Sequence, residues 1–261
     1  MAQRSMTATR MGIVHVHTDY SHDGRDSLEM VRDFCLARGI GWVGLTDHAE
    51  DLTPETFEEF AGRCRTVSDD RVHLIPGLEF RFTGFPGLHL LALGLSRWIE
   101  PATPGEFIRE TRATAGFTIV AHPILCDYRL PEVVSAGIDA IEVWNATYNT
   151  RFLPDPRAIR LLLATRAKRS EVVGIAGLDQ HDSRNDRETR VIISADESDP
   201  LTALRAGRFV NAGKTMRFDA TVSMRPVRLA ALTAARWIFD RAERVQHHAV
   251  SAVTGQRSVR G

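Results

Sequence analysis

The stretch from Gly12 to Thr46, GIVHVHTDYSHDGRDSLEMVRDFCLARGIGWVGLT, reads as strand, loop, helix and strand. Gly12–His17 (GIVHVH) is a short apolar run and is predicted to be extended. Ser27–Arg38 is predicted to be a helix, closed by Gly39 as its C-terminal glycine. Gly41–Thr46 (GWVGLT) is a second strand. The same alternation continues outward. Strands are predicted at Leu74–Phe80, Leu88–Leu95, Phe117–Ala121, Ala140–Trp144 and Val172–Leu178. Helices are predicted at Pro54–Val67 (N-cap Thr53), Pro104–Ala115, Pro131–Ala136 and Asp155–Arg169. Strand–helix repetition of this kind predicts an α/β fold with a parallel sheet, as a barrel or an open doubly wound sheet. After Arg190 the rhythm changes: a strand at Val191–Ser194, a short helix at Pro200–Ala206, then Arg208–Asn211. A long helix is predicted from about Pro226 to Val245, with Val227, Ala231, Ala234, Ile238, Ala242 and Val245 as one apolar stripe.

The chain has 261 residues with Lys+Arg and Asp+Glu at 33 each, a formal charge of +0. That balance argues against a dedicated nucleic-acid binder, and 43% hydrophobic residues with 25% charged is globular composition. Cys35, Cys64 and Cys126 are too few and too scattered for a disulfide framework or a thiolate zinc cluster, and fit a reducing compartment. No run approaches the roughly 18 apolar residues of a membrane span, and the polar start MAQRSMTATRMG lacks the apolar region of a signal peptide. The expected location is the cytoplasm. From Thr221 to Gly261 seven arginines (225, 228, 236, 241, 244, 257 and 260) face only Asp240 and Glu243. This basic helix suits packing against the barrel with a solvated face, a homo-oligomer contact, or a peripheral contact with membrane or nucleic acid.

Seven of the ten histidines stand beside predicted strand ends: His15, His17, His22, His48, His89, His122 and His181. In parallel α/β folds the carboxyl ends of strands are where sites are built. On a strand the side chains of His15 and His17 share a face, about 6.6 Å apart at the backbone, so both imidazoles can converge on one cation. Alone, a His-x-His pair is equally well a pair of surface histidines. Asp179-Gln180-His181 repeats the pattern with a carboxylate, and Thr46-Asp47-His48 ends another strand in an acid and an imidazole. Glu79, in Gly77-Leu78-Glu79-Phe80, is a carboxylate among apolar neighbours and needs a cation or a strong hydrogen-bond set. His89 lies in an apolar run, where a hydrogen-bonded core histidine is the bland alternative, and His122 precedes Pro123. So many ionisable groups at one edge carry a large desolvation cost, which divalent metals compensate, and mixed His/carboxylate donors suit zinc, manganese or iron. Nine donors exceed the four of one tetrahedral site and imply more than one ion.

Taken in order, HVHTDYSHDG (15–24), TDH (46–48), GLEF (77–80), HLLALG (89–94), AHP (121–123), IEVWN (141–145) and DQH (179–181) resemble the PHP (polymerase and histidinol phosphatase) superfamily. The resemblance implies a distorted seven-stranded (β/α) barrel resembling a TIM barrel, with a trinuclear metal site at the C-terminal face of the strands. It implies that His15, His17, Glu79 and Asp179 hold a first metal, and that Glu79 bridges to a second held by His89 and His122. A third would sit between His22, His48 and His181, with His22 preferred to Asp23. It further implies an N-terminal tail (1–11), a hydrolase barrel (12–220) and a basic helix and tail (221–261). The implied reaction is hydrolysis of a small phosphate ester by a metal-bridged hydroxide. This agrees with the absence of a G-x-S-x-G elbow, a P-loop or a catalytic-cysteine signature. Asp47 is the candidate acid or proton acceptor beside His48, its alternative being a cap on the strand end. Arg184 is the candidate phosphate clamp, against a solvated loop arginine, with Arg81, Asn145 and Lys214 behind it. Two other readings stay open: an amidohydrolase of the same superfamily cleaving a carbamate or similar acyl bond, and a catalytically inert polymerase-associated module. Erosion of the ligand set would mark the inert module, and here the set is complete.

Overall fold

Ile13, Val14 and Val16 commit the first segment to β1 (Thr9–Val16) in a computed structural model that describes residues 8–150 and 152–254. Ser27 then accepts a hydrogen bond from the Met30 amide and starts α1 (Leu28–Ala37). Gly39, at φ +65°, turns the chain out of that helix into β2 (Ile40–Leu45), as expected. β3 (Asp47–His48) follows directly. Thr53 caps α2 (Pro54–Val67) with a reciprocal bond to Thr56. The predicted strand Leu74–Phe80 is two strands, β4 (His73–Ile75) and β5 (Gly77–Arg81), divided at Pro76, whose ring removes a ladder donor. Next come β6 (His89–Leu93), α3 (Pro104–Ala113), β7 (Phe117–Val120), α4 (Glu132–Gly137), β8 (Ala140–Asn145), α5 (Pro156–Arg166) and β9 (Val173–Gly177). The later elements are β10 (Arg190–Ser194), α6 (Pro200–Arg205), β11 (Phe209–Ala212), β12 (Arg217–Asp219) and α7 (Pro226–Thr254). Four helices begin with Thr-Pro or Asp-Pro: the side chains of Thr53, Thr103, Asp155 and Asp199 cap them, and proline stands in the first turn.

The fold is α/β, and its sheets are mixed rather than parallel. One sheet has the order β12-β11-β10-β1-β2-β4 and the other β3-β5-β6-β7-β8-β9. Neighbours β1–β2, β2–β4, β3–β5, β7–β8 and β8–β9 are parallel. The pairs β5–β6 and β6–β7, and those from β1 out to β12, are antiparallel. Only a loop separates β5 from β6, too short for the crossover a parallel pair requires. Where the resemblance implies one closed ring of seven strands, the pairing gives these two six-stranded sheets. They meet where the Leu178 amide donates to the Val14 carbonyl, the Gln180 amide to the His15 carbonyl, and the His17 amide to the Gln180 carbonyl. Val14, Trp42, Leu91, Leu93, Ile119 and Ile175 fill the core.

The chain divides after Ser223 into two units. In the second, the predicted stripe of α7 faces outward: Val227 is 68% and Ile238 61% exposed, while Leu232, on another face, is buried. Residues 1–7, Arg257 and Arg260, and the side chains of Arg244 and Val245, lie outside the described residues. Among those that are described, no helix is long and apolar enough to cross a membrane.

Candidate metal centre

β1 delivers His15 and His17, and a break in regularity aims them. His15 has φ +67°, and the register between β1 and β2 shifts between Val14 and Val16. A bulge of this kind re-aims a side chain, so simple alternation is only part of the reason both imidazoles point one way. Asp179, at φ +52°, follows β9 in the same left-handed region. His48 ends β3, His122 follows β7, and Glu79 lies within β5. His89 opens β6 rather than ending a strand. Because β6 is antiparallel to β5, its first residue reaches the same edge, with Arg81 as its register partner.

These side chains converge. His15 Nε2 lies 3.6 Å from Glu79 Oε2 and 3.3 Å from Asp179 Oδ1. His17 Nε2 lies 3.4 and 3.5 Å from the same two atoms. His48 Nδ1 is 3.4 Å from Glu79 Oε2. On the other oxygen, His122 Nε2 approaches Glu79 Oε1 to 3.2 Å and His89 Nδ1 to 2.7 Å. Buried as they are, His15 Nε2, His17 Nε2 and His48 Nδ1 have no hydrogen-bond partner. Donors arranged tetrahedrally around an ion with bonds near 2.1 Å are separated by about 3.4 Å, which is the spacing seen. Three groups have ligand atoms within 4.8 Å of one another: His15, Glu79 and His122; His15, His17 and Asp179; and His17, Asp23, His48 and His181. The residues therefore fit divalent cations, both in donor chemistry and in spacing.

The electrostatics agree. Burial opposes charge on His15, yet Glu142 and Asp179 raise it well above the ordinary imidazole range. Burial opposes charge on His17 too, but the nearby Asp179 and Glu79 carboxylates outweigh it and raise His17 to about 9. Glu79 is held well below the carboxylate range, against burial, by His122, His15 and His17. Asp179 is likewise lowered, against burial, by His15 and His17. Burial and the neighbouring His17 push His48 and His181 down. Without cations, this is one proton-sharing cluster.

A family model described as the PHP domain matches residues 14–201. The chain belongs to the PHP domain family. No curated protein matches it. Among solved structures it is similar to a two-domain protein from Bacteroides vulgatus that contains a predicted PHP-like metal-dependent phosphoesterase. That likeness has a TM-score of 0.58 and 19% identity over 79% of this chain, which spans 65% of that protein's length. It is also similar to PsfC from Pseudomonas syringae (TM-score 0.52, 13% identity, 90% of this chain and 99% of that one). A third is an amidohydrolase from Chromobacterium violaceum solved with bound sulfate and no metal (TM-score 0.50, 15% identity, 76% and 96%). At these identities the likeness is one of fold.

Within this PHP domain, several expected residues stand elsewhere. His22 is not in the cluster: its side chain is 62% exposed, and its ring and amide both bond to Asp51 Oδ2. Asp23 takes that place, with Oδ2 3.3 Å from His48 Nε2 and 3.1 Å from His181 Nε2. Asp47 is fully buried and spoken for. Its oxygens accept from the Thr18 amide (2.7 Å), the Thr18 hydroxyl (2.9 Å) and the Ser21 hydroxyl (2.9 Å), so it pins the loop after His17 and does not meet the His48 ring. Arg184 is exposed and its fork is filled by Asp182. Asn145 braces Glu142, and Lys214 pairs with Glu188. One residue was missed. Glu142 in β8 binds His15 Nδ1 through Oε1 (2.8 Å) and accepts the His122 amide on Oε2 (2.7 Å). The signal was in IEVWN: an acid inside an apolar strand, the same reasoning that singled out Glu79.

Proposed function

We propose that this chain is a metal-dependent hydrolase of a small phosphate ester. One observation supports it above the others: three buried, unpartnered imidazole nitrogens facing two carboxylates held in their charged form. In this reading, His15, His17, Asp179 and Glu79 would hold one cation, Glu79, His89 and His122 a second, and Asp23, His48 and His181 a third. Divalent cations there, zinc, manganese or iron by donor type, would supply Lewis-acid activation of water and neutralise charge on a phosphoryl group.

The chain's own residues prepare that site. Glu142 takes the Nδ1 side of His15, which fixes the ring and leaves Nε2 turned toward Glu79 and Asp179. Asp47 holds Thr18 and Ser21, and Ser21 accepts the His48 amide (2.8 Å), so one buried carboxylate steadies the loops that carry His17 and His48. Glu79 spreads five imidazole contacts over its two oxygens, which supports a role shared between two neighbouring ions. The second reading is cleavage of a carbamate or similar acyl bond, favoured by the fold likeness to the Chromobacterium amidohydrolase. The three reduced cysteines suit a cytoplasmic setting for either.

The test is elemental analysis together with paired hydrolysis assays on an aryl phosphate and an aryl carbamate, with Mn²⁺ or Zn²⁺ supplied. More than one metal equivalent per chain is expected, with phosphate turnover abolished by His17→Ala or Asp179→Ala. A chain that takes up no metal overturns the reading, and carbamate turnover alone transfers it to the second.

A further inference from the structure

We propose that Arg81 is the side chain through which this site recognises a phosphoryl oxyanion, and that Glu50 holds it in position until one arrives. The inference rests on the phosphate-ester reading. Glu79 and Arg81 are two apart on β5 and share a face. Glu79 is buried in the cluster, whereas the Arg81 side chain is 49% exposed. The β5–β6 register sets Arg81 opposite His89, whose Nδ1 touches Glu79. The guanidinium therefore stands on the rim, directly outward from the carboxylate that the imidazoles surround.

Its surroundings suit a cation waiting for an anion. Among the described residues its ion-pair partner is Glu50 alone, through one contact of 3.4 Å, and that side chain is 43% exposed. Exposed pairs of this kind hold weakly, so an incoming dianion displaces Glu50 readily. Glu50 and Asp51 are neighbours on the 3-10 turn Ala49–Asp51 just after His48, and Asp51 binds both the ring and the amide of His22. One short acidic turn thus holds both the Arg81 guanidinium and the His22 ring. On the same cluster, Tyr148 packs against the His122 ring, 4.7 Å between centroids. A planar guanidinium matches two oxygens of a phosphoryl group. Arg184 cannot offer this, because Asp182 already fills its fork.

The experiment measures inorganic phosphate binding to the metal-loaded full chain by calorimetry, with metal content confirmed for every variant. Arg81→Gln is expected to weaken phosphate about tenfold, and Arg81→Lys to recover only part of that loss, since it keeps the charge but not the fork. Glu50→Gln is expected to tighten binding. Arg65→Gln, which removes an exposed cation from the last turn of α2, is expected to change nothing and so controls for net charge. In kinetics, Arg81→Gln should raise KM for an aryl phosphate more than it lowers kcat and leave a neutral carbamate unaffected. Equal phosphate affinity in wild type and Arg81→Gln overturns the proposal, as does full rescue by lysine. If wild type turns over no phosphate ester, the functional reading fails while the phosphate-affinity series still decides the role of Arg81.

Discussion

Asp47 shows how much a single carboxylate's role depends on what its oxygens already hold. Three donors from Thr18 and Ser21 occupy it inside the core. Asp47→Ala should therefore cost stability, about 1–3 kcal/mol for the donors left unpaired, read as a lower melting temperature. The pH–rate profile of the metal-saturated variant should keep its shape, whereas losing one limb would restore Asp47 as a proton carrier. The imidazoles give a second prediction at this scale. His15 and His17 bind protons more tightly in the folded, metal-free chain than when unfolded, His17 up to about 9. Their contribution to metal-free stability is full below about 6.5; that of His17 is lost as pH rises through about 9, and that of His15 is lost above the ordinary imidazole range. Glu79 and Asp179 are lowered, so theirs is full above the ordinary carboxylate range and lost as pH falls below it. The metal-free melting temperature should thus be highest in mildly acidic solution and decline toward pH 9. Because the same protons must leave before a cation binds, metal affinity should rise over that interval in a titration series.

At the scale of elements, β8 and β9 are matched through one missing side chain. A Cβ on Gly177 would lie 1.9 Å from Glu142 Oε1, the oxygen that orients His15. Gly177→Ala should push Glu142 aside and reduce metal affinity by about 10–100-fold. A competition assay with a chromogenic chelator would show it, and unchanged affinity would separate Glu142 from the site. Much of this architecture was legible beforehand. The start of α2 followed from Thr53 and its proline, and the strand-end histidines pointed to the candidate site, because caps and apolar runs are local signals. What stayed hidden was non-local. Strand direction was one such feature: the apolar run of β6 reads the same whether it lies parallel or antiparallel to β5. The choice between His22 and Asp23 was another, because adjacent residues in a polar loop carry no periodicity and Asp51 settles which of them turns away. Arg184 looked free because nothing in its spacing shows that Asp182 folds back onto it.

At the scale of the molecule, the candidate centre ties both sheets together. His15 lies in β1 of one sheet and His17 directly follows it, while Glu79, His89, His122 and Asp179 come from or beside strands of the other. A ligand that binds only the folded state adds to its stability, by about 4 kcal/mol at a thousandfold excess over Kd. Stripping metal with a chelator should therefore lower the melting temperature of the whole PHP unit and restoring it should raise it, followed by circular dichroism. An unchanged transition would mean the cations contribute nothing to the architecture. The long reach of these contacts has a further consequence for biosynthesis. His15 meets Glu142 across 127 residues of chain, and Asp179, another of its acids, is made later still. A polypeptide emerging from the ribosome thus exposes its first imidazoles well before the carboxylates that complete the cage are translated. Cation capture belongs at the close of folding, after synthesis has passed His181, and a nascent fragment ending earlier should be unable to retain its ions.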